Sequence, residues 1–502
     1  MSQEPTQNFK CGYLCANVTV RSFHVGIIVC GGMRELTYDV AIIGAGVVGC
    51  AVFREYVLGG FKTILIERDA DIINGASKAN SAILHTGFDA TPGTLEAACV
   101  KTGYTRYHQI HHQLGLPLLR FGALLAAWSD TDLQALDAVR KKATQNGVGT
   151  EILSADEMRH REPGLSASIR GGISIPGESV VDSWSAPLAY ARQAIMNGGT
   201  LLRNAEVLSG ARHDRLWTLN LKGQVPRIQA RLVVNCSGLQ GDIVEAIVRP
   251  SPFHITPRKG QFLVFDKSAY DLVQSIILPV PTKLTKGVVV TRTAYGNLLV
   301  GPTAEPQNDR RIATTTRDAL LRLRQAAQNI IPDLQHHAIT TEYAGLRPAT
   351  EFSDYQIEAL PDDRWISVSG IRSTGLTGAL GIASHVRDLH TTYFGPFHDL
   401  SDPQCPVMTN ITQCHPRAVD MPGRSTIVCH CEMVTEDEIK SALHDPILPA
   451  GSVGGLRRRT RCMMGRCQGF YCTRRVTALA AGCLPGLSVP IPTSTSQDPP
   501  HA

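Results

Sequence analysis

Between Tyr38 and Glu67 a β-branched run, a glycine turn, a helical stretch and a second β-branched run follow one another without a gap. Tyr38-Asp39-Val40-Ala41-Ile42-Ile43 is short and mostly apolar, which suits a strand buried on both faces. Gly44-Ala45-Gly46-Val47-Val48-Gly49 turns it tightly into a helix expected from about Val47 to Leu58, with Gly59-Gly60 as its stop. Thr63-Ile64-Leu65-Ile66 is then a second buried strand that ends on Glu67. The result is a βαβ unit.

Each residue type in that unit has a task in holding a dinucleotide. Gly44 permits the tight turn, Gly46 lets backbone approach a pyrophosphate, and Gly49 allows close helix-strand packing. The helix N-terminus offers N–H donors to phosphate charge. Glu67 lies 18 positions after Gly49, where a carboxylate accepts from ribose hydroxyls. A glycine-rich turn without a ligand would need neither the helix nor the acid at that distance. NAD and FAD both fit this unit.

A chain of 502 residues exceeds one compact core and implies two to four domains. Its 43% hydrophobic and 19% charged content is that of a globular protein, and a net charge of +5 is too small to imply a nucleic-acid partner. No apolar run approaches the 18 or so residues of a transmembrane segment, so the expected location is cytoplasmic, with peripheral docking on a membrane partner compatible. Residues 1–36 hold Cys11, Cys15 and Cys30 and a weak apolar stretch, Val25 to Cys30, too short for a secretory signal. They read as a disordered extension, or as sequence ahead of a true start at Met33. Fourteen cysteines without a secretory signal argue for metal or redox chemistry, and eight of them follow residue 400.

Further along, Asn74 to Gly87 is small and polar, and Ser77, Asn80 and Ser81 are expected to face the cofactor, since small residues let a flat ring approach backbone. Leu95 to about Leu114 has a helical pattern carrying His108, His111 and His112, read as a solvated face because no carboxylate or thiol completes a metal site. Leu118 to Trp128 reads as strands, Asp130 to Asn146 as a helix, Gly171 to Asp182 as a loop and Ser183 to Asn197 as another helix. Leu232-Val233-Val234-Asn235 is a third buried strand expected to rejoin the dinucleotide sheet, with Cys236 in the core. Residues 255–345 carry short strands suited to a mostly antiparallel second sheet. Trp365 to Gly370 is a last buried strand, and Thr374-Gly375-Leu376-Thr377 opens a helix running to about Leu389. This second glycine-rich helix start, with Gly370 before it, favours FAD, whose polar groups lie at both ends.

These motifs carry a family likeness. Residues 37–395 resemble the D-amino-acid-oxidase-like superfamily of FAD enzymes, and within it the FAD-dependent glycerol-3-phosphate and L-2-hydroxyglutarate dehydrogenases. The resemblance rests on the Gly44–Gly49 turn, Asn80 to Gly87, Pro92 to Leu95, Pro257-Arg258-Lys259-Gly260-Gln261, Gly296 to Thr303, Gly345-Leu346-Arg347-Pro348 and Gly370 to Thr377. It implies an α/β fold in which a Rossmann-type FAD domain is interleaved with a mostly antiparallel substrate domain. The FAD part is expected at about 37–100, 175–250 and 340–395, and the substrate part at about 100–175 and 250–340. It also implies oxidation of a small anionic substrate, with His85 as base and Arg347 as the fork that grips a carboxylate or phosphate. Arg258 and Lys259 serve the same anion or the flavin's pyrimidine edge. The chain departs from the family at Ala82, Arg372 and Thr374, where glycine, an acidic residue and proline are usual.

After a Pro-punctuated linker at 396–424 come Cys429-His430-Cys431 and a run from Cys462 to Cys472, bracketing a short helix opened by Thr435 with Glu438 at capping-box spacing. C-x-C with C-x4-C differs from the C-x2-C pairs of zinc ribbons, although structural zinc remains the competing reading. Residues 425–483 resemble the bacterioferritin-associated-ferredoxin-like [2Fe–2S] domain, a small helical unit, and that match assigns Cys429, Cys431, Cys467 and Cys472 as ligands, with Cys462 as a fifth cysteine able to substitute. Arg457, Arg458, Arg459 and Arg461 either offset the cluster's negative charge or form a docking face for an acidic partner. Residues 484–502 read as a disordered tail. The expectation is a dehydrogenase that oxidises glycerol 3-phosphate or a 2-hydroxy acid and passes electrons through the cluster to an acceptor protein or membrane-associated subunit. An amine or amino-acid oxidase, or a non-catalytic electron-transfer subunit, are the alternatives.

Overall fold

Burial on both faces explains why strands such as Thr63–Ile66 and Trp365–Ser369 show no alternation in sequence. The strand Thr37–Ile43 is central and runs parallel to Thr63–Ile66 on one side and to Arg227–Asn235 on the other. Thr200–Leu202 extends the sheet beyond Thr63–Ile66, and Trp365–Ser369 extends it beyond the second half of Arg227–Asn235, again in parallel. The antiparallel hairpin Glu206–His213 and Leu216–Lys222 takes the first half of that long strand, and Gln356–Leu360 closes the other side. The helix Val47–Leu58 packs against Ser185–Met196 and Gly375–Tyr393, and the latter against Leu95–Ile110. The computed structural model describes residues 37–281, 287–414 and 416–484; the N-terminal extension and nearly all of the expected tail lie outside them.

A nine-stranded second sheet sits beside this α/β half. Thr256–Phe265 pairs antiparallel along its length with Ile339–Ala349, and the sheet continues through Leu298–Gly301, Val289–Arg292 and Ile276–Pro279. Ala123–Ala127 joins it through the one parallel pairing found among its described strands, followed by Gly171–Ile175 and Glu151–Ser154. The mostly antiparallel roof is therefore present. Residues 171–182 are not the loop that their glycines suggest. Gly171–Ile175 is fully buried between two partner strands, and Ser179–Val181 pairs with both Ile83–Leu84 and Leu118–Leu119. Burial on both faces removed the alternating pattern that would have marked these strands.

The C-terminal module has its own small core, in which Val434, Ile439, Leu456 and Val476 meet. The helix Glu436–Leu443 starts at Thr435 with the reciprocal capping box that its sequence announces, and Val453–Thr460 and Thr473–Ala480 complete the module. The segment before it runs along the α/β half: Leu400 N–H donates to Leu58 O, and Met408 N–H to Leu114 O. From Thr37 onward the described residues form one compact unit. Among them no helix is long and apolar enough to cross a membrane.

Candidate functional site

A cavity of about 290 Å³ opens at the C-terminal ends of the parallel strands. Gly44, Gly46, Glu67, Ser77, Asn80, Ser81, Gly370, Gly375, Leu376 and Arg347 all line it, whereas Gly49, Arg258, Thr377 and His85 lie off its wall. Gly44 has φ +100°, and a Cβ there would lie 2.6 Å from the Cys236 carbonyl oxygen. A Cβ on Gly49 would run into the Gly44 carbonyl, so this glycine sets how closely helix and strand approach. Both helix starts open onto the cavity without a side-chain cap from their own N-cap residue. Val47 N–H donates to Ser77 Oγ at 2.9 Å. The Glu67 carboxylate accepts from Ala45 N–H at 2.9 Å and Asp69 N–H at 3.0 Å, while burial pushes its carboxyl up. A glycine turn that admits no side chain, two helix starts that open onto the cavity and a carboxylate at the strand end suit a dinucleotide with a second polar end, as FAD is.

The family departures find local reasons. Thr374 Oγ1 donates to Glu96 at 2.7 Å, and Tyr355 OH meets the same Oγ1 at 2.6 Å. Arg372 reaches the other oxygen of Glu96 at 3.3 Å, so this arginine has a carboxylate partner beside the cavity that it lines. Ala82 adopts φ +58°, a left-handed conformation in which glycine is the unstrained residue.

Arg258 and Arg347 stand directly opposite one another on the paired strands Thr256–Phe265 and Ile339–Ala349. Like charges in that register are destabilising on their own. Burial, and after it the Arg258 charge, pushes the Arg347 guanidinium down to about 10. Its Nη2 donates to Thr303 O at 2.8 Å, and among the described residues no carboxylate forms an ion pair with it. Lys259, by contrast, has Glu305 at 3.5 Å.

His85 is held by a partner that sequence reasoning did not single out. The antiparallel pairing of Ile83–Leu84 with Ser179–Val181 brings Glu178 beside it, and the fully buried carboxylate lies 2.8 Å from His85 Nδ1. Thr86 donates its N–H and its hydroxyl to the other carboxylate oxygen. A carboxylate only accepts, so Nδ1 carries the proton in the neutral ring and Nε2 is the basic nitrogen. His85 is one-quarter exposed and its N–H donates to Thr377 Oγ1, one residue beyond Leu376 on the cavity wall.

In the C-terminal module the thiols meet in two pairs, Cys431 with Cys467 and Cys429 with Cys472. The N–H groups of Tyr471 and Gly469 face Cys467 and hold its thiol below the ordinary range. Burial pushes Cys472 up to about 12 and Cys462, fully buried, up to about 11. A Cβ on Gly465 would strike Cys431 Cβ, so the loop closes tightly over that thiol. Two thiol pairs with N–H donors aimed at sulfur suit a [2Fe–2S] unit, which takes four thiolates over two irons.

The arginine run before these cysteines turns inward. Arg459 forms a bidentate pair with Asp71 at 2.9 Å for both bonds, Arg458 donates to Ile72 O, and the next residue's N–H, that of Ile73, donates to Ala45 O in the glycine turn. Arg461 pairs with Glu432 at 3.0 Å and lies 4.0 Å from the Tyr295 ring, which stacks on Trp184 at 5.1 Å. Trp184 follows Ser183 on the cavity wall, so an aromatic pair connects the cavity side to the cysteine module. Arg457 Nε is buried without a hydrogen-bond partner among the described residues, beside Cys462 and Cys472.

Comparison with known proteins shows the families of both cofactor-binding parts. Residues 39–389 match the family model described as FAD dependent oxidoreductase, and residues 427–481 match that of the BFD-like [2Fe-2S] binding domain. A glycerol 3-phosphate dehydrogenase of Caloramator mitchellensis is 34% identical over 457 residues, covering 88% of this chain and 94% of that protein. An L-2-hydroxyglutarate dehydrogenase of Escherichia coli is 29% identical over 53% of this chain and 64% of its own length. Among solved structures, the L-alpha-glycerophosphate oxidase from Mycoplasma pneumoniae with FAD bound superposes with a TM-score of 0.68 at 25% identity, covering 73% of this chain and 97% of that one.

Proposed function

The chain belongs to the FAD dependent oxidoreductase family and carries a BFD-like [2Fe-2S] binding domain, and from that premise we propose that it oxidises glycerol 3-phosphate and releases the electrons singly through the cluster to a separate acceptor. It is a glycerol-3-phosphate dehydrogenase-like oxidoreductase with FAD and [2Fe–2S] as cofactors. Bound FAD supplies a two-electron acceptor and the cluster a one-electron outlet.

The observation that carries the substrate reading is the Arg258–Arg347 pair. Two guanidiniums facing each other without a carboxylate on Arg347 are relieved by an anion placed between them. A phosphate concentrates its charge at one centre, as this pair requires, whereas 2-hydroxyglutarate spreads its two carboxylates over opposite ends. The relatives named above for both substrates make the 2-hydroxy acid the second reading.

In this reading Arg347 holds the phosphate from the cavity wall with the Arg258 charge opposite it on the neighbouring strand, and the C2 hydroxyl proton passes to His85 Nε2 as the C2 hydride leaves for the bound flavin. Glu178 keeps the proton on Nδ1, so that Nε2 is the acceptor. Glu67, the Gly44–Gly49 turn, Ser77, Asn80, Ser81 and the Gly370–Thr377 segment hold FAD, and Cys429, Cys431, Cys467 and Cys472 hold the cluster. The acceptor is a protein carrier or a membrane-associated subunit.

The test is an anaerobic screen that follows flavin bleaching with glycerol 3-phosphate, L-2-hydroxyglutarate and glycine. Bleaching by glycerol 3-phosphate at the lowest concentration supports the proposal. Preferential bleaching by glycine with release of an imine-derived product transfers the chain to amine oxidation. Failure of all three, in protein whose flavin dithionite still reduces, favours a non-catalytic electron-transfer subunit.

A further inference from the structure

The most exposed large apolar side chains among the described residues are Phe470 at 82% and Tyr471 at 80%. They pack edge to face at 5.1 Å and lie between Cys467 and Cys472 in the chain. The Phe470 N–H donates to Cys467 O at 3.0 Å and the Tyr471 N–H faces the Cys467 thiol, so the backbone of both residues is tied to Cys467 while their rings face solvent. Adjacent aromatic rings left in water are not explained by the module's fold, whose core is complete without them.

The charge around the rings is basic. Arg466 precedes Cys467 with its side chain 72% exposed, Arg474 is exposed, and Arg475 is 59% exposed. Arg466 and Arg475 are held in place by Asp266 and Glu436, which fixes their geometry. Aromatic side chains with arginine are the composition of binding hot spots. The helix Thr473–Ala480 that follows buries its apolar residues Val476 and Ala480 and shows polar residues outward, so no amphipathic stripe is available for a lipid surface.

We propose that Phe470 and Tyr471, with Arg466, Arg474 and Arg475 about them, form the docking face for an acidic one-electron carrier protein. This deepens the functional reading above by naming the partner's chemistry and its point of contact. One electron leaves the reduced cluster and enters the carrier, and no proton need move. A carrier seated on the rings lies next to Tyr471, whose N–H faces the Cys467 thiol, which keeps the transfer distance short. The arginines steer an acidic partner, so the encounter weakens with salt.

The test uses the full protein with both cofactors, reduced by dithionite and freed of excess, so that it does not depend on the substrate. It is mixed anaerobically with an acidic flavodoxin as the probe, and complex formation is followed separately by sedimentation. The expected result is fast, salt-sensitive transfer that falls at least about tenfold in the double variant Phe470→Ala, Tyr471→Ala, with loss of the sedimenting complex. Reduction of ferricyanide, which needs no docking, stays unchanged. Should the double variant lose its cluster, Arg474→Glu, on the exposed helix face, gives the same comparison with the rings intact, and transfer to the acidic probe is again expected to fall. Equal transfer and equal sedimentation in wild type and variants would overturn the proposal. So would binding of the wild type to phosphatidylglycerol vesicles, lost in the double variant, with no complex with the carrier. Failure of the substrate screen alone leaves this result standing, and the reverse also holds.

Discussion

At the flavin cavity Arg347 faces Arg258 and no carboxylate, whereas in the cysteine module the buried Arg459 and Arg461 each meet one, from Asp71 and Glu432. Both regions are rich in arginine, yet the charge does different work in each. Positive charge that the protein leaves uncompensated calls for a ligand. Buried positive charge that the protein pairs, as at Arg459 and Arg461, joins one part of the fold to another. The two centres also differ in how they are assembled: the cavity gathers residues from Gly44 to Leu376 through sheet pairing, while the four thiols come from one short C-terminal stretch.

Variants at the two regions sharpen that contrast. Glu178→Gln keeps the shape but lets the side-chain amide donate to His85 Nδ1, which favours the wrong tautomer. Turnover with glycerol 3-phosphate should fall by roughly 10²- to 10⁴-fold with flavin content unchanged. A variant with normal turnover would remove His85 from the base role. Arg347→Ala should weaken substrate binding by roughly 2 to 5 kcal/mol, read as a rise in the apparent dissociation constant from anaerobic flavin reduction. Arg347→Lys should restore part of this, since it keeps the charge but not the fork. Burial sets the free Arg347 near 10, so wild-type affinity should fall as pH rises through that value, because a bound anion favours the charged form. Arg347→Ala should lack that fall.

The Arg459→Ala variant probes compensated charge. Asp71 is fully buried and keeps the Gly451 N–H at 2.9 Å, so the expected loss is about 2 to 3 kcal/mol in stability, less than for a completely orphaned ion. Because Arg458 and Arg459 hold the loop whose Ile73 N–H bonds to Ala45 O, FAD should also be released more readily. Equilibrium unfolding and FAD titration of the apoprotein check both effects. The smallest expected effect is at Ala82. Ala82→Gly should stabilise the protein by about 0.5 to 1 kcal/mol through relief of the left-handed backbone, with turnover unaltered. A loss of stability would mean that the buried methyl group outweighs the strain.

What was legible in the sequence was whatever short-range chemistry dictates. The turn from Gly44 to Gly49 with Glu67 required one βαβ unit, and the sheet has it with the expected boundaries. Thr435 and Glu438 announced a helix start that the structure contains. What was not legible depended on pairing between distant segments. Glu178 is a single carboxylate in a Pro-Gly-rich turn until Ser179–Val181 pairs with Ile83–Leu84 and sets it against His85. The strands at 171–181 lost their signature to burial on both faces. The inward direction of Arg457 to Arg461 depends on Asp71 and Glu432, one of which lies almost four hundred residues away.

In the proposed function two electrons enter at the cavity and leave singly at the thiols. Anaerobic stopped-flow reduction by glycerol 3-phosphate, run on wild type and on Cys467→Ser beside steady-state turnover with an acceptor served by the cluster, tests it most directly. The predicted result is that Cys467→Ser binds FAD and bleaches with substrate as the wild type does, while delivery to the acceptor is lost, and that Cys462→Ser is nearly silent in both assays. Normal delivery by Cys467→Ser, with its cluster shown by spectroscopy to be gone, would mean that the flavin feeds the acceptor itself and would contradict the account.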